Sequence, residues 1–317
     1  MRFLFVLVLI CGLTKGWAQI PAGKAFRVVP LGVKGGVDES NLSAYLLAAQ
    51  GTNSYVCLDA GTLHAGIKKA IQNQVFKVDY NKVLKDYIKG YLISHAHLDH
   101  LAGLVLNSTE DGKKPIYATE SNLDIFRKHY FNWKAWPNFG SEGDQPALSK
   151  YQYTVLAPGT ETPIDGTGLS VRAFPLSHGF SYQSTAFLLK SGGAYALYLG
   201  DTGPDLIEKS TNLAQLWKAI QPLVQARTLK ALLIEVSYPN EQPDNQLFGH
   251  LTPNWLMHEL TALSKLTGPD ALKDFPVVIT HMKPTGTNEA QIKQQLREAN
   301  RLKVKLIFPE QGKLLEF

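Results

Sequence analysis

A chain of 317 residues, 44% hydrophobic and 19% charged, with glycine and proline spread throughout, has the composition of a globular protein with ample core. That excludes a disordered, collagen-like or low-complexity chain, and no repeat of solenoid period is visible. The formal net charge of +5 is too mild to argue for nucleic-acid binding, although it helps attract a small anion.

The first residues read as a targeting segment. Met1-Arg2 is a short basic start and residues 3–13 are almost wholly apolar. Gly16-Trp17-Ala18 then puts small residues three and one positions before an expected cleavage after Ala18. The apolar run is shorter than the roughly 20 residues that cross a bilayer. Residues 1–18 are therefore expected to be a cleaved signal peptide, and residues 19–317 a single domain exported to a bacterial periplasm, or else secreted, without stable membrane insertion. Ile10 before Cys11, where a small residue would be needed, argues against lipoprotein processing. Cleavage removes Arg2 and Lys15, lowering the formal charge from +5 to +3. It also removes Cys11, so Cys57 stands alone, no internal disulfide can form, and Cys57 reads as a small core residue.

Residues 26–31 form an apolar run, and 43–49 and 55–59 read as two strands joined by a hairpin turn at Gln50-Gly51-Thr52-Asn53. The last of these ends in Asp59-Ala60-Gly61. Asp59 there either makes local turn hydrogen bonds or reaches a cleft beyond the strand end. Residues 64–73 and 81–89 predict surface helices. A buried strand then runs from Tyr91 to Ser94 and opens into His95-Ala96-His97-Leu98-Asp99-His100. His95 and His97, two apart in extended geometry, point the same way. Asp99 and His100 turn into a helix and face the cleft from its other side. Four such donors at the end of a rigid strand converge on one point, and imidazole with carboxylate suits zinc, manganese or iron. This is a metal site.

Beyond it, the pattern predicts a helix over 101–106, a strand over 115–118 and a helix over 121–130. Residues 130–139 form the densest aromatic segment, expected to pack its rings on the core rather than to stack on a ligand. A strand over 169–175 leads to His178. Paired strands over 182–189 and 194–199 lead to Asp201, held between Gly200 and Gly203. A strand over 230–235 ends in Glu235, and His250 precedes Thr252 and Pro253, which cap and open a helix. A strand over 276–280 ends at His281. Of nine histidines, His95, His97, His100, His178, His250 and His281 lie in the motif, beside glycine or at strand ends. His64, His129 and His258 read as structural or solvated. Strands alternating with helices, with ligands on strand-to-helix loops, predict an α/β sandwich with one active edge.

The run His95 to His100 resembles the His-x-His-x-Asp-His pattern of the metallo-β-lactamase superfamily, and His178, Asp201 and His281 match its later ligands in order. The longer run from His95 to Ser108 is similar to class II cyclic-nucleotide phosphodiesterases, as are Leu58-Asp59-Ala60-Gly61-Thr62 and Gly249-His250-Leu251-Thr252-Pro253. The resemblance covers most of the mature chain. It implies a four-layer αββα metallo-β-lactamase-like sandwich with two divalent metal ions at the sheet edge, zinc foremost and manganese or iron accepted. It further implies that His95, His97 and His178 hold one ion, Asp99, His100 and His281 the other, with Asp201 bridging and Asp59 orienting a ligand histidine. The implied reaction is hydrolysis of a small-molecule 3′,5′-cyclic nucleotide, cyclic AMP foremost, to its 5′-monophosphate.

Chemistry supports that expectation independently. Two cations about 3.5–4 Å apart can hold a hydroxide and neutralise a phosphodiester, so metal-bound hydroxide is expected to attack phosphorus. Asp99 then counts as catalytic as well as ligating. The leaving 3′ alkoxide needs a proton or a metal, and His250, polarised by Glu235, is the candidate general acid. Related tRNA-processing enzymes have a comparable glutamate and histidine; the other reading of His250 is a residue of a helix-capping loop. Two other functions fit the sequence less well. A tRNA 3′-end nuclease needs a basic, glycine-rich arm, whereas residues 239–246 are acidic and amide-rich, so no nucleic-acid partner is expected. A non-catalytic metal-binding protein would more often use a closed, cysteine-containing site.

Overall fold

In the computed structural model, which describes residues 23–179 and 182–317, the strands sort into two seven-stranded sheets. The expected signal peptide over residues 1–18 lies outside the described residues. The first half comprises β1 (Phe26–Gly32), β2 (Ala44–Ala49), β3 (Tyr55–Leu58), α1 (His64–Gln72), α2 (Tyr80–Lys82) and β4 (Ile88–Leu92). It continues through α3 (Leu98–Asn107), β5 (Lys114–Ala118), α4 (Glu120–Ile125) and β6 (Tyr151–Val155). The second half comprises β7 (Glu161–Ile164), β8 (Leu169–Ser177), β9 (Gln183–Ser191), β10 (Ala194–Leu199), α5 (Asp205–Glu208) and α6 (Asn212–Gln225). It ends with β11 (Leu229–Glu235), α7 (Pro253–Thr267), β12 (Pro276–Thr280), α8 (Asn288–Ala299), β13 (Lys305–Ile307) and β14 (Leu315–Glu316). The sheet orders are β14-β1-β2-β3-β4-β5-β6 and β13-β12-β11-β10-β9-β8-β7.

Three apolar clusters separate four layers. Successive residues at the end of β4 and just past it show why: Tyr91 and Ile93 pack toward the first helical layer with Leu101 and Leu104 of α3, while Leu92 faces the other sheet. Side chains alternate across a strand, so strands covered on both faces become continuous apolar runs. Between the sheets lie Leu47, Leu92, Phe187, Tyr198 and Leu233. On the far side, Trp217 and Ile220 of α6, Leu260 of α7 and Ile292 of α8 pack against Leu197 and Ile234. This is the expected αββα sandwich. None of the described helices is long and apolar enough to cross a membrane.

Strand direction places the site. β3 and β4 are parallel, with Leu58 opposite Leu92. β10, β11 and β12 are also parallel, with Glu235 opposite Thr280. β8 is antiparallel to β9 and β9 to β10, so β8 runs with β10. The carboxyl ends of β3, β4, β8, β10, β11 and β12 therefore carry Asp59, His95, His178, Asp201, Glu235 and His281. Side chains on loops held by such a rigid scaffold converge well.

Two local expectations change. Over 81–89 the helix stops early: α2 passes into a π-turn at Val83–Tyr87, and Ile88 already opens β4. Val83 and Leu84 are buried in the first core rather than on a surface helix. His178 sits on a strand-to-strand loop, because β8 and β9 form an antiparallel pair. As expected, Asp99 and His100 turn into the helix and lie in the first turn of α3. The α7 start is as expected, with Thr252 Oγ1 accepting from the Trp255 N–H and Pro253 opening the helix.

In the outer layer, buried Glu259 of α7 accepts from Trp217 Nε1 at 3.0 Å and from the Asp205 N–H at 3.3 Å. Burial raises its carboxyl above the usual 4.5, against the opposing effect of the Trp217 hydrogen bond. The native state thus binds this proton more tightly than the unfolded chain. The resulting stability is fully present below the usual glutamate value and is lost as pH rises through the raised one. Glu259→Gln is expected to flatten this decline, which urea midpoints measured across the interval would check. A slope equal to that of the parent chain would contradict the assignment.

Candidate metal centre

The motif loop is built by β4 and pinned at its start. The Ser94 N–H and Ser94 Oγ donate to the two oxygens of Asp59, each at 2.7 Å. The loop after β3 is clamped in turn to α3: the Ala60 N–H donates to the His100 carbonyl at 2.7 Å. Gly61 is required by that contact, since a Cβ there would stand 2.0 Å from the Asp99 carbonyl oxygen. Asp59 takes a left-handed φ of 52° and His281 one of 57°. For non-glycine residues this costs about 1–3 kcal/mol each and concentrates at functional sites.

The side chains form two groups around one oxygen. His95 Nε2 lies 3.1 Å from His97 Nδ1, which lies 3.2 Å from His178 Nε2. His281 Nε2 lies 3.1 Å from Asp99 Oδ2, with His100 completing that second group. Within each group the donor atoms lie within 4.8 Å of one another. Asp201 Oδ2 stands between them, 3.2 Å from the Nε2 atoms of His100 and His281. It is 3.7 Å from His95 Nε2 and 3.8 Å from His178 Nε2. The structure thus brings together every residue expected from sequence.

The outward nitrogens fix the rings. His178 Nδ1 donates to the Gly249 carbonyl at 2.8 Å and His100 Nδ1 to Asp59 Oδ2 at 2.8 Å. Ser94 Oγ–H is committed to Asp59, so Ser94 Oγ accepts from His95 Nδ1 at 3.0 Å. Ser237 Oγ–H is committed to Glu235 Oε2 at 2.6 Å, so it accepts from His281 Nδ1 at 2.9 Å. In the neutral form of each of these four rings Nε2 therefore presents a lone pair to the centre, the tautomer a metal ligand needs.

Those lone pairs test the fit of a cation. Burial holds His95 well below its ordinary value and lowers His178 to about 4, keeping both rings neutral. The three nitrogens that converge to 3.1–3.2 Å have at most one N–H among them, that of His97 Nδ1, so at least one lone pair is left for a positive charge to satisfy. Around His100, burial opposes protonation, but Asp201, Asp59 and Asp99 outweigh it and push the ring well above its ordinary range. Burial likewise opposes ionisation of Asp201, and the neighbouring His100 and His281 overcome it, holding the carboxyl well below the usual range. Neutral His95 and His178 beside the ionised Asp99 and Asp201, with an added cation able to displace the proton on His100, suit divalent ions that take nitrogen and oxygen ligands. The buried His/Asp cluster can hold metal ions.

His250 stands beside this cluster. Its Nδ1 lies 2.8 Å from Glu235 Oε1, and its ring stacks on His281 at 5.2 Å. Nε2 has no hydrogen-bond partner among the described residues. Lys283 Nζ sits 5.4 Å over the Tyr238 ring, close enough for its charge to oppose protonation of His250. The aromatic segment behaves mostly as core: Phe131 is fully buried, and Trp136 and Phe139 pack on the first cluster. Tyr130 alone reaches the motif loop, its OH donating to the Ala96 carbonyl at 2.8 Å. His64, His129 and His258 are exposed and away from the cluster.

Ser94, Ser237 and Tyr198 escaped the sequence reading. Both serines stand within two residues of a strand-end ligand or acid, which is their only local signal. Tyr198, buried in an apolar strand, donates across the sheets to Asp59 Oδ2 at 2.6 Å. A buried tyrosine hydroxyl needs a partner, and that need was the available clue. Tyr198→Phe is expected to loosen Asp59 and hence His100, weakening metal binding by about 10- to 100-fold with the fold intact. Competition with a chromogenic chelator would measure this. Unchanged affinity would show that Tyr198 only fills space.

Two stacked sheets under outer helices, with this His/Asp cluster at their shared edge, place the chain in the metallo-β-lactamase fold class. Solved structures share the architecture: unliganded yeast PDE1 matches with a TM-score of 0.84 at 22% identity, over 93% of this chain and 100% of that one. The short form of human tRNase Z matches with a TM-score of 0.54 at 15% identity, over 91% and 98%. The family described as cAMP phosphodiesterases class-II matches residues 25–312. A 3′,5′-cyclic-nucleotide phosphodiesterase of Aliivibrio fischeri is 47% identical over 308 residues, covering 92% of this chain and 93% of that protein. The chain belongs to the class-II cAMP phosphodiesterase family.

Proposed function

We propose that this chain is an exported 3′,5′-cyclic-nucleotide phosphodiesterase that converts cyclic AMP to 5′-AMP with two divalent ions, zinc foremost. One observation carries the two-ion reading: two three-residue donor groups share the single oxygen Asp201 Oδ2. His95, His97 and His178 would hold one ion, Asp99, His100 and His281 the other, and Asp201 both. When bound, such ions neutralise the phosphodiester and lower the pKa of an attacking water toward neutrality. Asp59, Ser94, Ser237 and the Gly249 carbonyl orient the ligating rings. His250 donates a proton from Nε2 to the 3′ oxygen as the P–O bond breaks, while Glu235 holds its Nδ1 proton and stabilises the charged ring. Lys283 adds positive charge at the rim for an anionic substrate.

The test uses the mature protein with its metals counted, assayed on cyclic AMP, cyclic GMP, linear diesters and a β-lactam. Two ions per chain, with cyclic AMP preferred and 5′-AMP released, is the expected result. One ion, 3′-AMP as product, or faster cleavage of linear diesters would overturn it. Fractionation of the tagged chain tests export, which requires processing after Ala18; an unprocessed chain in the cytoplasm would contradict it.

A further inference from the structure

Beside the cluster lies a recess of ≈ 590 Å³, lined by Gly179, Glu208, Asn245, Leu247, Phe248 and Gly249 among others. Its volume falls in the range of small-molecule pockets, about 300–1,000 Å³. One wall is continuous with the metal centre, because the Gly249 carbonyl accepts from His178 Nδ1. Gly249 has φ 79°, and a Cβ there would stand 2.1 Å from the Gly179 nitrogen. The backbone preceding His250 is thus pressed onto the His178 loop, and Phe248 is held at a fixed distance from the centre.

Phe248 itself is unusual on two counts. Its side chain is 66% exposed and belongs to none of the apolar clusters. Its φ is 52°, a left-handed conformation that a bulky aromatic residue rarely takes. Among the described residues no apolar cluster rewards this strain and exposure, and strained residues of this kind gather at ligand clamps. Across the recess, half-buried Glu208 interacts with the Gly179 backbone N–H and with His250 but forms no salt bridge among the described residues, so its carboxylate keeps acceptor capacity toward the recess. An aromatic face and an acceptor beside a phosphodiester site suit a flat, nitrogen-rich ring.

We infer that this recess is the nucleobase subsite, where Phe248 stacks on the purine and Glu208 accepts from its edge. The inference rests on the phosphodiesterase reading above. It places the base on the His178 side of the centre, with the cyclic phosphate at Asp201. Stacking a base on an aromatic side chain is worth about 10- to 100-fold in binding by alanine substitution.

The metal-loaded enzyme would be assayed on cyclic AMP and on an abasic analogue, 1-deoxyribose 3′,5′-cyclic phosphate. Phe248→Ala is expected to lower kcat/KM for cyclic AMP by about 10- to 100-fold, mainly through KM. The abasic analogue has nothing to stack and should lose about two-fold at most, which also reports that the variant is folded. Phe248→Trp should keep cyclic AMP turnover, and Glu208→Gln should change the ratio of cyclic AMP to cyclic GMP hydrolysis. Equal losses on both substrates, or no loss on cyclic AMP, would remove Phe248 from the subsite, and an unchanged ratio would remove Glu208. If the parent enzyme cleaves neither substrate, the phosphodiesterase reading fails and takes the subsite with it. Turnover of both, with no difference in the variant, sinks the subsite alone.

Discussion

Asp201→Ala is expected to strip both ions from the centre and to cut turnover by at least about a thousand-fold, while the fold survives. One oxygen of this buried side chain faces His95, His100, His178 and His281 at 3.2 to 3.8 Å. Without it, neither donor group keeps a shared negative charge, and the neutral rings of the first group must hold a dication alone. Asp99→Ala provides the graded comparison. It removes the carboxylate 3.1 Å from His281 Nε2 but leaves His95, His97 and His178 untouched. That variant should retain one ion and lose nearly all turnover. Neither residue contributes to the three apolar clusters, so the metal-depleted variants should melt near the metal-depleted parent. Metal analysis beside kcat decides the matter. Two ions in Asp201→Ala, or full activity in Asp99→Ala, would sink the two-ion assignment.

The unequal legibility of these residues has a physical basis. His95 to His100 is readable in isolation because three imidazoles and a carboxylate within six residues at a strand end have little else to do. His178, Asp201 and His281 come from three different strands. Their convergence depends on β8 running with β10 and on two sheets stacking face to face, which no local window contains; strand-end position marks them as candidates, and only the family order assigns them to one centre. Tyr198 and Ser237 are less legible still. Tyr198 serves Asp59 from the opposite sheet, and Ser237 links His281 to Glu235 through one hydroxyl. The misplaced end of the helix over 81–89 has a different cause. Val83, Leu84 and Ile88 are apolar at spacings that fit a helix face as well as entry into a strand, and burial in the first core settles the choice.

His250→Ala should slow cyclic AMP hydrolysis by about 10²- to 10⁴-fold, the usual contribution of a positioned proton donor. Hydrolysis of a phosphodiester with a nitrophenol leaving group should fall far less. A ribose 3′ alkoxide is strongly basic and must be protonated as it departs, whereas a nitrophenolate leaves unaided. The geometry supplies the donor. Glu235 Oε1 takes the Nδ1 proton at 2.8 Å, leaving Nε2 as the nitrogen that can give one up. Burial disfavours a charged ring here, but the charge and hydrogen bond of Glu235, aided by Asp201, outweigh it and raise the pKa of His250 above its ordinary value. Glu235→Gln keeps an acceptor for Nδ1 yet loses the charge, so it should show the same leaving-group dependence in weaker form. A residue that merely shapes the loop before α7 would behave otherwise, because a distorted loop harms both substrates alike. The ratio of the two losses, rather than either loss alone, therefore distinguishes proton transfer from support of the fold.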